Sequence, residues 1–135
     1  MCKFSSIQDV LNGFILDGIV ADYKAAELPL IHQHLQNVRN MINPMRTIWI
    51  FDRGYPAMEL YARIIEMNSY FIVRLKKDTY IDERKNITQE DSPISLNITK
   101  ERLKKFHDSE LKDIYSKKWT TDLRIVTITN DNGEK

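Results

Sequence analysis

The chain has 135 residues, enough for one domain with a core of its own. Hydrophobic residues make up 42% and charged ones 29%, an ordinary globular balance, and a formal net charge of +1 leaves any nucleic-acid surface to local patches. Cys2 is the single cysteine, which excludes an internal disulfide and a cysteine-built metal site, while the lack of a membrane-length apolar run or a signal peptide points to the cytoplasm.

From Phe4 to Tyr23 the pattern is short strands broken by turns. Asn12-Gly13, flanked by apolar residues, is a hairpin signal because both residues tolerate positive φ. Asp17-Gly18 fits either a second turn or a bulge. Asp9, Asp17 and Asp22 invite a metal reading, but turn aspartates that bond their own backbone are the stronger reading. Leu28, Ile31, Leu35 and Val38 recur at three and four residues, which predicts an amphipathic helix from Glu27 to about Arg39, with Pro29 in its first turn. His32 and His34 face different ways on such a helix and do not share a metal. One of them belongs at the surface and the other at the rim of the core. Asn43-Pro44 ends this segment.

Thr47 to Phe51 has the β-branched and aromatic composition of a buried strand. Asp52-Arg53-Gly54 breaks it, and Pro56 has the preset φ of a first helical position. Met58, Tyr61, Ile64 and Ile65 then continue with helical spacing, so the helix should start at Pro56 or Ala57. Asp52 thus stands exposed at the carboxyl end of a strand, where open α/β sheets bind ligands. A helix cap is the other role for an acid at that turn. Glu59 and Glu66, seven apart, suit a solvated helix face. Tyr70 to Leu75 alternates as a strand, with Phe71, Val73 and Leu75 on one side.

Lys76 to about Pro93 is charged, without helical or strand period, and reads as a long exposed connection. Thr99 is placed to cap a short helix carrying Leu103 and Phe106, and Asp108 or Ser109 to cap another carrying Leu111 and Ile114. The cations Lys100, Arg102, Lys104, Lys105, Lys112, Lys117 and Lys118 are interleaved with acids, as on a solvated face. Lys104 and Lys105 are still the best local candidates for phosphate contact. Leu123 to Thr129 reads as a strand and Asn130 to Gly133 as a hairpin turn, with no returning strand after it. That unpaired edge suggests a truncated chain.

Phe51-Asp52-Arg53-Gly54-Tyr55-Pro56, with Met58-Glu59-Leu60, resembles the second-aspartate motif of bacterial insertion-sequence DDE transposases, in the group typified by insertion sequence four. Asp9-Val-Leu-Asn-Gly-Phe-Ile-Leu-Asp17 is similar to the hairpin before that motif. Tyr23-Lys24 to Glu27, with His34-Leu35, resembles the helix that follows the hairpin, and Ser69 to Leu75 the strand after the motif.

The resemblance implies an α/β fold: an incomplete ribonuclease-H-like core over residues 1–78, a mixed sheet with flanking helices. Part of a β-rich insertion follows over residues 79–135. It makes Asp52 a catalytic, metal-binding acid and DNA the partner. Phosphodiester transfer of this kind uses two divalent cations about 3.5–4 Å apart, held by three acids. Magnesium is the cation implied. The first acid belongs upstream of the hairpin and the third beyond the insertion. The tyrosine, arginine, glutamate and lysine signature of the third is not reproduced by Tyr80 to Lys85 or by Tyr115 to Lys118.

One acid of three holds magnesium weakly at best, so the expectation is a fragment of a transposase that does not cleave DNA alone. Arg53 suits either a DNA phosphate or Glu59, and Tyr55 suits packing. The same residues also fit a non-catalytic regulator that binds DNA or transposase. They fit equally a small cytoplasmic α/β protein in which Asp52 is a cap. A missing central strand predicts marginal stability and self-association.

Overall fold

A computed structural model describes residues 1–53 and 57–128. The fold is mixed α/β, built from three two-stranded sheets and short helices. It falls into two compact units, one over Met1–Val73 and one from Arg74 onward.

The first unit opens with β1 (Cys2–Asp9) antiparallel to β2 (Phe14–Asp22). The turn between them is the predicted hairpin. Asp9 Oδ1 accepts the Leu11 and Asn12 amides at 3.0 and 3.1 Å, and Gly13 adopts φ +75°. The side chain of Asn12 adds a third bond to Asp9 at 2.8 Å. These donors, the Asn12 side chain first, hold the Asp9 carboxyl below its ordinary value. The expected irregularity near Asp17-Gly18 is a bulge: Ile7 pairs with Asp17 and Gln8 with Ile15, so Leu16 is the extra residue. Asp22 closes the strand as a turn residue, accepting the Lys24 amide at 2.8 Å.

Helix α1 (Glu27–Val38) follows, with Pro29 in its first turn. A short 3-10 turn over Pro44–Arg46 leads to β3 (Ile48–Phe51), which is parallel to β4 (Tyr70–Val73). Helix α2 (Met58–Glu66) connects the two strands. The core joins Ile31, Leu35 and Val38 of α1, Trp49 of β3, and Leu60 and Ile64 of α2. Ile7, Leu16, Phe51 and Phe71 pack against it from the strands. Tyr61 stacks on Phe71 with ring centroids 4.8 Å apart.

Two expectations fail on this helical layer. His34 is not at the rim of the core but buried, 1% exposed, while His32 is half-buried. Glu59 is not on a solvated face: it is 2% exposed, because α2 is buried almost all round from Met58 to Ala62.

The second unit contains α3 (Ile81–Arg84), β5 (Asp91–Asn97), α4 (Lys100–Lys104), α5 (Ser109–Ser116) and β6 (Thr120–Val126). The predicted caps are found. Thr99 Oγ1 accepts the Arg102 amide at 3.2 Å, and Asp108 Oδ1 accepts those of Glu110 and Leu111 at 3.0 Å each. Ile94, Leu96, Phe106, Leu111 and Tyr115 are buried.

The long connection is a misreading, since α3 and β5 occupy it. Pro93 is tolerated because β5 has only one strand neighbour. The last strand, β6, pairs with β5 along one edge, Arg124 opposite Pro93 and Leu123 opposite Ile94. The predicted turn from Asn130 to Gly133 lies outside the described residues.

Candidate active site

Strand β3 ends at Phe51, after which the backbone leaves the sheet. Asp52 is the next residue and is exposed, and Arg53 follows it, exposed in a turn. The helix begins at Met58 with Ala57 as its extended N-cap, one or two residues later than predicted. The N-cap position belongs to Ala57, which offers no side-chain cap bond, so Asp52 is not the N-cap of this helix. Since β3 and β4 are parallel, their carboxyl ends point the same way, and Asp52 marks that end. The carboxylate is therefore presented to solvent by a strand whose inward residue, Trp49, is fixed in the core.

Among the described residues, Asp52 is not part of a group of three or more metal-ligating side chains. Asp9 is committed to the hairpin turn and Asp22 to a turn of its own. Asp17 is drawn into a different cluster. Its Oδ2 lies 2.7 Å from His34 Nδ1 and accepts the Asn37 side-chain amide at 2.9 Å. On the far side of the ring, His34 Nε2 lies 2.9 Å from Ser5 Oγ. The order serine, histidine, aspartate matches a hydrolytic triad. Here, though, Ser5 turns its hydroxyl toward α1, onto the most buried histidine of the chain. The cluster ties β1, β2 and α1 together, and that is structural work. Bonds from Asn37 first, then His34, hold the Asp17 carboxyl below its ordinary value.

Glu59 pairs with Arg63 one helical turn on, with an N–O distance of 3.9 Å. Lys104 is the last residue of α4 and Lys105 its C-cap, both exposed. They belong to the second unit and Asp52 to the first.

A family model described as a transposase DDE domain matches residues 2–121. The chain belongs to the DDE transposase family. No curated protein and no solved structure matches it. The match covers both units and most of the described chain, so a general role in transposition attaches to both units.

Enzymes of the DDE family typically use divalent metal. Among the described residues, no three His, Cys, Asp or Glu side chains converge as a metal site. The donor set around Asp52 therefore does not fit a two-metal centre within these residues, and no catalytic step through a metal follows from it. Among the described residues, too, no helix is long and apolar enough to cross a membrane.

The buried polar residues were not legible beforehand. His34 and Asp17 are far apart in sequence, and only the β1–β2 pairing under α1 joins them. Glu59 sits one position off the apolar stripe of α2, and periodicity alone assigns that position to solvent.

Proposed function

We propose that this chain is an internal segment of a DDE transposase of the group typified by insertion sequence four, with Asp52 as the second of its three metal-binding acids. The observation behind this reading is the position of Asp52: exposed, at the carboxyl end of a parallel strand, in a chain of the DDE family. Residues 1–78 then belong to a ribonuclease-H-like core and residues 79–135 to an inserted region. Magnesium serves the assembled parent enzyme and binds weakly, if at all, to Asp52 alone. DNA is the substrate, the reaction is cleavage and strand transfer, and the compartment is the cytoplasm.

Strand composition supports the incomplete core. Trp49 and Phe51 face the helices, yet Ile48 and Ile50 on the reverse side are also apolar and exposed. So are Tyr70 and Ile72 on β4. Strands apolar on both faces are those of a parallel sheet covered on both sides.

The test has two arms. Purified chain and Asp52→Ala are incubated with supercoiled plasmid and magnesium or manganese, and neither should nick it. The DNA flanking the reading frame is then read, in frame and shifted, for the missing acids. A protein extended to include them should cleave, and Asp52→Ala should abolish that activity. Metal-dependent cleavage by the chain alone, lost in Asp52→Ala, would overturn the fragment reading.

A further inference from the structure

The second unit contains a shallow depression of about 250 Å³ lined by Lys77, Arg84 and Lys85 together with Ile81, Ile87 and Ile125. Among the described residues, no carboxylate lines it. Arg84 is fixed there by neutral groups: its Nη1 donates to the carbonyls of Lys76 and Thr79 at 3.1 Å each, and to that of Lys77 at 3.4 Å. These bonds orient the guanidinium without cancelling its charge. The acid next to it in sequence, Glu83, is already paired with Arg102 at 2.6 Å.

Three other cations of this unit are ion-paired. Arg102 has Glu83, Arg124 has Asp91, and Lys117 has Asp113 at 2.7 Å. Asp78 and Asp82 are exposed and lie outside the lining. Three cations and, among the described residues, no carboxylate thus line the depression, although the overall net charge is only +1. The volume is below the roughly 300–1,000 Å³ of pockets that enclose drug-sized ligands, which favours a chain-like ligand passing over it. Lysines and arginines at such a surface neutralise phosphates and release their counterions.

We infer that this depression seats the phosphodiester backbone of duplex DNA, with Lys77 and Lys85 each meeting a phosphate and Arg84 holding charge between them. The choice of DNA rests on the transposase reading above. Lys104 and Lys105, the candidates from sequence, are then solvated surface.

The experiment is fluorescence anisotropy of a labelled mixed-sequence duplex, titrated with full chain in EDTA over a range of KCl concentrations. Wild type is compared with K77A/K85A, K77R/K85R and K104A/K105A. All substituted lysines are exposed, and circular dichroism checks that each variant is folded. Wild type should bind with a clear salt dependence. K77A/K85A should bind several-fold more weakly at every sequence, with its slope of log K against log salt flattened by about 1.8, that is about 0.9 for each phosphate lost. K77R/K85R should keep the wild-type slope, and so should K104A/K105A.

An unchanged slope in K77A/K85A would overturn the assignment. So would a slope lost in K104A/K105A instead, or no binding by wild type. Displacement of DNA by inorganic phosphate well beyond chloride at matched ionic strength would also overturn it, by marking a small-anion site. The readout needs no metal, so it fails or succeeds independently of the cleavage that tests Asp52.

Discussion

The buried imidazole of His34 is the residue whose environment is most completely specified. Both ring nitrogens meet a partner, Asp17 on one side and Ser5 on the other. Removing the carboxylate in Asp17→Ala leaves a buried donor unsatisfied, and chemical denaturation should report a loss of about 1–3 kcal/mol. Ser5→Ala should cost less, since a neutral hydroxyl is a weaker partner than a carboxylate. The pH dependence has a definite sign. The folded Asp17 carboxyl titrates below its ordinary value of 3.8, held there by Asn37 and His34. Its contribution is therefore fully present above pH 3.8, and is lost as pH falls through the lower folded value. Denaturation midpoints measured on the acid side should fall less steeply in Asp17→Asn than in wild type. Asp9, Glu83 and Asp91 are shifted the same way, so part of the slope should persist.

At the scale of single elements, what could be read from the sequence was what is local. The hairpin at Asn12-Gly13 and the caps at Thr99 and Asp108 depend on neighbours within three residues, and each is where its residues predict. Asp52 at the end of β3 was legible for the same reason: the breakers follow the strand directly. Strand β5 was not legible, because its alternation of Ile94 and Leu96 is short, begins beside a proline, and is completed only by pairing with β6 far along the chain. Burial of Glu59 escaped because helical periodicity describes one covered face, and α2 is covered on more than one. Two substitutions test the local devices. Gly13→Ala keeps open space around its new carbon but must hold φ +75°, so it should destabilise the hairpin by about 1–2 kcal/mol. Asp108→Ala removes the oxygen that accepts two backbone amides at the start of α5, the helix that places Leu111 and Tyr115 in the core of the second unit. Thermal or denaturant unfolding should register about 0.5–2 kcal/mol for that cap.

For the molecule as a whole, the deciding feature is the reverse face of the β3–β4 pair. Ile48, Ile50, Tyr70 and Ile72 alternate with the core-facing residues and are all exposed. Phe4 and Val20 are exposed in the same way on β1 and β2. Contiguous apolar surface of this kind on a small chain favours association, and an open strand edge offers a template for it. Small domains have only about 5–15 kcal/mol in hand, so leaving such a face in water makes marginal stability the expectation. Strand β6 pairs with β5 along one edge only, their sheet having two strands among the described residues. Sedimentation velocity over a concentration series should therefore find the wild-type chain associating. Ile50→Lys with Ile72→Lys, placed on the exposed side away from Trp49 and Phe71, should shift the distribution toward monomer with little loss of helical signal. The control is Ile128→Lys, exposed at the end of the second unit, which should leave association unchanged. A wild-type chain that sediments as a clean monomer and unfolds cooperatively at high temperature would mean the apolar face is tolerated as it stands. The case for a partner strand or helix across that face would then be lost.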